Sequence, residues 1–319
     1  MGYSHNSGYS AGESGFAVGK RGSEKQVIDS LGRMYLNFEP GAQFFVDSVH
    51  GKTTNDGLTW ATALAGIDAA VGKCTANHGD IIWVAPGHNE GITAAAVIDL
   101  DVAGISVIGL GTGSLKPTID FDHADAGFVI GADNVTVKNI RFRCSVTGVK
   151  IGVAIEAAVD SYQILDCDFG WAEAAGTDEF LIALNILAGC NDGLIEGNTF
   201  AAGAAGAAVA IKLVGASDNI IIRKNRFTGA CSTAMVNGIT TLSTDLLIED
   251  NLFYQGATEP AIELLTGTTG IIRDNYIVTN LATMVASIVA DACYLFQNYY
   301  NEDVNPGTGA LIGTASGND

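Results

Sequence analysis

Seven segments of this sequence can be laid over one another so that three columns of residues agree. Each segment closes on a large residue: Phe142, Phe169, Phe200, Phe227, Phe253, Ile277 and Tyr300, spaced 23 to 31 residues apart. Five positions earlier stands an aliphatic: Val137, Ile164, Ile195, Ile222, Ile248, Ile272 and Leu295. Two positions earlier the last five segments carry Asn198, Asn225, Asn251, Asn275 and Asn298, and the first two carry Ile140 and Cys167. A repeat of this period marks stacked supersecondary units. A unit of roughly 25 residues cannot bury its apolar side alone, so it needs neighbours like itself above and below.

The reading that follows is an all-β chain, a right-handed single-stranded parallel β-helix. Coils stacked about 4.8 Å apart bring like residues into files. Aliphatics would stack inside and aromatics beneath a turn. The asparagines suit tight bends, because Asn tolerates left-handed backbone and bonds locally. Their amides can also bond from rung to rung. A further strand per unit is visible at Val153/Ile155, Leu184/Ile186, Val209/Ile211, Val236, Ile262/Leu264 and Ile288. A leucine-rich repeat is the rival. It repeats leucines at fixed positions, whereas the aliphatics here are mixed and each Asn is followed two residues on by the large closing residue.

The organisation expected is an extended arm over 1–43, the β-helix with its N-terminal cap over 44–300, and a tail over 301–319. The arm is rich in Gly and Ser and carries Lys20, Arg21 and Lys25; Val27 to Leu36 is its one helical stretch. It has too few apolar residues to fold alone. Phe44-Phe45-Val46 reads as a first strand. After Thr62, Leu64, Ile67, Val71 and Cys74 fall on one face of a short capping helix. Ile81–Val84 and Ile105–Ile108 read as strands that end at Pro86-Gly87 and Gly109.

Two columns should face outward. Four positions before the closing residue the chain reads Glu196, Arg223, Glu249 and Arg273, alternating in sign, which suits a ladder of ion pairs. Six positions before it reads Leu194, Ile221, Leu247, Ile271 and Tyr294. Residues six and five positions before point to opposite faces of a strand, so this apolar stripe lies outside, where such patches mark interfaces. All nine are candidate interface residues.

Charge and motifs exclude several functions. With 16 Lys+Arg against 35 Asp+Glu the net charge is −19, which repels phosphate backbones, so no nucleic-acid partner is expected. No apolar run approaches a membrane span of about 20 residues, and no secretory signal is visible. Cys74, Cys144, Cys167, Cys190, Cys231 and Cys293 form no CxxC or CxxH pair and read as reduced core thiols. HExxH and P-loop patterns are absent, and the glycine-rich stretch 109–113 lacks a dinucleotide-binding context. His78, His88 and His123 stand alone. Carboxylates gather at Asp120, Asp122 and Asp125, pair at Asp166 and Asp168, and gather again with Asn55 at Asp47 and Asp56. Such groups serve glycoside hydrolysis or cation binding where the spacing fits, and solvated turns otherwise. No catalytic residue, cofactor or metal is assigned.

The run Phe44-Phe45-Val46-Asp47, Asn55-Asp56-Gly57-Leu58, Trp60-Ala61-Thr62-Ala63 and Gly79 to Gly87 resembles the N-terminal cap and first coil of pectate-lyase-like right-handed β-helix proteins. With 105–121 and 135–142 it is similar to β-helix proteins encoded among virion genes of tailed bacteriophages. Enzymes of that superfamily use a Ca²⁺ carboxylate cluster with a basic residue, or paired aspartates with Gly-His-Gly and Arg-x-Lys; this chain has neither of those two motifs. The resemblance therefore implies a non-enzymatic virion protein, a capsid decoration or cement protein. It would be made in the host cytoplasm, carried on the capsid surface and assembled as a homotrimer, with the arm contacting the major capsid protein or another subunit. The alternative it leaves open is a glycan-cleaving or glycan-binding protein of tailspike, lyase or hydrolase type, for which Trp171 is the candidate platform.

Overall fold

The computed structural model describes residues 41–95, 97–170, 178–202, 207–281, 286–302 and 310–312. The arm before residue 41, its helical stretch, its basic cluster, Trp171 and most of the tail lie outside them.

The described chain coils through three sheets in turn. The first has ten strands, from Gln43–Val46 to Cys293–Phe296. The second has ten, from Asn89–Ile92 through Asn298–Glu302 to Ala310–Ile312. The third has eight, from Val97–Leu100 to Ile288–Val289. Neighbouring strands pair in parallel throughout, except that Ala310–Ile312 runs antiparallel to Asn298–Glu302. This is a parallel β-helix.

Each repeating segment proves to be two strands with a sharp corner between them. Leu194–Glu196 lies in the first sheet, Thr199–Ala201 in the second, and Gly197-Asn198 lies between them at the bend. The aliphatic column stacks in register in the first sheet, Val137 on Ile164 on Ile195 on Ile222 on Ile248 on Ile272 on Leu295. The closing column stacks in the second. Phe142, Phe169, Phe200, Phe227 and Phe253 lie ring on ring at 4.5–4.9 Å. Such pairs add about 0.5–1.5 kcal/mol beyond area burial.

The asparagines do not themselves turn the corner. The left-handed residue is the one before each: Asp166 before Cys167, then Gly197, Lys224, Asp250, Asp274 and Gln297, with φ between 47° and 73°. The Asn side chain instead points inward and ties coils together. Asn225 Nδ2 donates to Ile195 O at 2.9 Å and to Asn251 Oδ1 at 3.1 Å. Its Oδ1 accepts the backbone N–H and the amide of Asn198 at 2.9 and 3.0 Å. The same pattern runs from Asn198 to Asn298, each at most 2% exposed. A buried primary amide with every donor and acceptor used specifies its geometry closely.

The corner from third to first sheet carries a second ladder. Asp133, Asp160, Asn191 and Asp218 each accept the backbone N–H of the residue stacked above, namely Asp160, Asn191, Asp218 and Thr244, at 2.9–3.1 Å. The residue after each is left-handed. Two other details refine the sequence reading. The strand read at Val209/Ile211 runs Val209–Leu213, with Ile211 and Leu213 beside Leu184 and Ile186. The capping helix is only Ile67–Val71, and Leu64 precedes it in a parallel bridge to Val46. Leu64 is fully buried there, so it matched a helical spacing while serving as a core residue on extended backbone.

Asn225→Ala leaves buried partners on both neighbouring coils unpaired and should destabilise by about 2–4 kcal/mol. Asn225→Asp keeps the shape but removes the donors and sets a carboxylate against Ile195 O and Asn251 Oδ1, and should cost more. Urea denaturation followed by circular dichroism measures both; equal stability of Asn225→Asp and the parent would refute the ladder's energetic role.

Candidate functional site: the outward faces of the first two sheets

The charged column forms one connected ladder on the first sheet. Arg223 bonds Glu196 at 2.8 Å and reaches Glu249 at 3.9 Å, and Arg273 bonds Glu249 at 2.5 Å. Lys224 joins at 2.9 Å from Glu196. Hydrogen bonds from Lys224 and Arg223 hold the Glu196 carboxyl below the usual range. The apolar column stands beside it on the same outward face. Leu194, Ile221 and Leu247 are half-buried, and exposure climbs to 39% at Ile271 and 70% at Tyr294. Lower on this face the apolar character continues in the charged column's own file, where Phe45, Trp83 and Ile108 stack in register.

Most of these carboxylates are engaged within the fold. Asp168 lies 3.0 Å from Lys116 and 3.5 Å from Arg141, and Asp166 is 3.3 Å from Lys138. Asp120 is bonded by Arg143 and Ser145. Asp125 pairs with Lys150 at 2.5 Å, while Asp122 is exposed. At the N-terminal cap, Asp47 bonds His50 and the Val49 N–H, Asp56 accepts the Leu58 N–H, and Asn55 donates to Ala63 O. Among the described residues no group of three or more His, Cys, Asp or Glu is placed to hold a metal ion.

The isolated histidines serve the cap and one turn. Ser48 N–H donates to buried His88 Nδ1 at 2.9 Å, which leaves Nε2 to donate to Glu90 at 3.2 Å. Glu90 in turn accepts the first N–H of the capping helix, Ile67, at 2.9 Å. His78 bonds Asp80 at 2.6 Å. Asp80 is buried, yet the N–H groups of Thr75 and Ala42 and the His78 ring outweigh that burial and hold its carboxyl below the usual range. His123 accepts the Asp125 N–H. The 109–113 stretch is a turn into the short 3₁₀ helix Gly113–Leu115, and Asn139 donates to the carbonyls of Gly109 and Gly111. All six cysteines are free, and burial pushes the Cys167 and Cys231 thiols up to about 12.

The sequence reading missed an aromatic surface on the second sheet. Leu252, Tyr276 and Tyr299 stack in register on its outward face. The two tyrosine rings lie 4.8 Å apart and 12° from parallel. Tyr254 stands two residues beyond Leu252 on the same strand, and all four side chains are 41–56% exposed. The signal was present one position before and one after the closing column, but only the inward residue of that strand was followed.

An acidic group sits where the third sheet begins. Asp99 faces Asp101, Glu156 and Asp68, and burial together with these three raises its carboxyl above the usual range. A carboxyl raised in the folded state disfavours folding once ionised, an effect that sets in as pH rises past about 3.8 and is complete above the folded value. Asp99→Asn should therefore raise the melting temperature by about 2–4 °C at pH 7 and by nothing near pH 3; scanning calorimetry at the two pH values checks the sign.

Solved structures with similar folds share little sequence with this chain. A GH136 lacto-N-biosidase from Eubacterium ramulus is 13% identical, with a TM-score of 0.52 over 87% of this chain. The chain spans only 58% of that enzyme's length. PfbA, a surface adhesin of Streptococcus pneumoniae, is 14% identical, with a TM-score of 0.37 over 88% of this chain and 95% of its own. ORF18 of Geobacillus virus E2 is 13% identical, with a TM-score of 0.40 over 88% and 64%. No curated protein matches the sequence. The family described as a right handed beta helix region matches residues 126–301, more than half of the chain, and the protein belongs to that family.

Proposed function

We propose that the protein is a non-catalytic structural component of a tailed-phage virion, a capsid decoration or cement protein that associates as a homotrimer. The observation that carries this reading is the outward face of the first sheet. Its apolar column, ending at Ile271 and Tyr294, runs beside a charge-matched ladder. Such a face offers apolar area at its centre with polar groups alongside, the anatomy of a protein interface. The pairing of Asp120, Asp166 and Asp168 with Arg143, Lys138, Lys116 and Arg141 supports a structural use of the carboxylates. The resemblance of the cap together with 105–121 and 135–142 to β-helix proteins of phage virions supplies the setting.

The parent protein should sediment at three times the chain mass at micromolar concentration, and Ile271→Lys should sediment as a monomer with an unchanged melting temperature. A monodisperse monomeric parent would remove the trimer. Cryo-electron microscopy of the source particle tests the location, and absence of density for the chain would remove the virion assignment.

The exposed tyrosines favour a second reading, a glycan-binding or glycan-cleaving protein, because aromatic faces pack against sugar rings. Incubation with a panel of bacterial polysaccharides separates the two: new reducing ends or unsaturated products, lost in Asp168→Asn, would establish the enzyme.

A further inference from the structure

We propose that the subunits meet head to tail around the assembly axis, the first-sheet face of one copy seated on the tyrosine ladder of the second sheet of the next. The inference rests on the trimer reading above and names the other half of its interface.

Three observations lead there. Both apolar surfaces lie at the same height. Tyr294 and Phe296 belong to the strand that precedes Tyr299, and Ile271 to the strand that precedes Tyr276. Between the paired strands stand only Asp274-Asn275 or Gln297, so the two surfaces flank a single corner. That corner is held by the asparagine ladder inside it.

Charge adds the second point. Two copies with a net charge of −19 repel over most of their surfaces. The outward positions of the second sheet in these coils are Leu252, Tyr254, Tyr276, Val278, Tyr299 and Asn301, none of them charged. On the first sheet the acidic side chains nearby are matched by Arg223 and Arg273, and Arg273 also lies 3.8 Å from Asp274 at the corner. These are the faces on which like copies can approach.

Symmetry is the third. A two-fold axis parallel to the solenoid would set the first sheet against itself and leave the tyrosines in water. A two-fold perpendicular to it would turn the solenoids antiparallel, so that equal heights meet only at the axis itself. Rotation about a parallel axis beside the corner brings first sheet onto second sheet at equal height and closes as a ring, a heterologous contact in which each copy supplies both faces.

The test uses the full chain and sedimentation mass. Tyr276→Lys should lower the mass threefold, as Ile271→Lys does, with an unchanged far-ultraviolet spectrum; Tyr254→Lys on the same face is the second variant should Tyr276→Lys fail to fold. A one-to-one mixture of Ile271→Lys with Tyr276→Lys should give a species of two chains, because one intact face of each kind remains and the ring cannot close. If Ile271→Lys is monomeric while Tyr276→Lys and Tyr254→Lys keep the parent mass, the head-to-tail contact is wrong and the trimer reading stands. If the parent itself is monomeric, both fall. Tyrosine variants that keep the parent mass but lose binding to a polysaccharide would assign the ladder to a glycan and overturn the inference.

Discussion

Backbone hydrogen bonds between successive coils hold this protein at a spacing of about 4.8 Å, and every other feature is arranged by that pitch. In-register parallel pairing places each residue over its counterpart, so a single side-chain choice is repeated or answered in the next coil. Inward files fill with Val, Ile and Phe. At the corner, the pitch matches the reach of an amide, and one asparagine per coil bonds to both neighbours. On the outer face the same pitch would force like charges together, and alternation of Glu with Arg turns that repulsion into attraction.

Much of this was legible in the sequence because stacking demands like residues at like positions. The Phe and Ile files and the Asn file each announce themselves by identity. Three things were not legible, for different reasons. The chain's left-handed residues at the asparagine corner are Asp, Gly, Lys and Gln, chemically unlike, so attention went to the uniform Asn beside them. The second ladder mixes Asp and Asn, which share an acceptor oxygen but not a name, and ends on Thr244 as a donor. Leu64 kept helical spacing from Ile67 and Val71 while lying on extended backbone, and spacing alone cannot separate those cases over so short a stretch.

The outward faces follow a different logic from the core. Inward files change little along the axis, whereas outward files change character. The second sheet presents Arg141, Asp168 and Thr199 in its lower coils and Leu252, Tyr276 and Tyr299 in its upper ones, all in one file. Apart from the group around Asp99, the acidic residues engage in turns, cap contacts and ion pairs. Chemistry on this protein is therefore a matter of height along the axis, with ion pairing low on the second sheet and aromatic contact high on it.

The reversed strand Ala310–Ile312 has one more consequence. A parallel solenoid ends in rows of unpaired peptide groups, ready templates on which another chain can add a strand. By running antiparallel along Asn298–Glu302, this short segment occupies the last row of the second sheet with a strand of opposite polarity. A coil stacked on this end would meet, on that sheet, a three-residue edge of reversed polarity in place of the longer Asn298–Glu302 edge that continues its own direction.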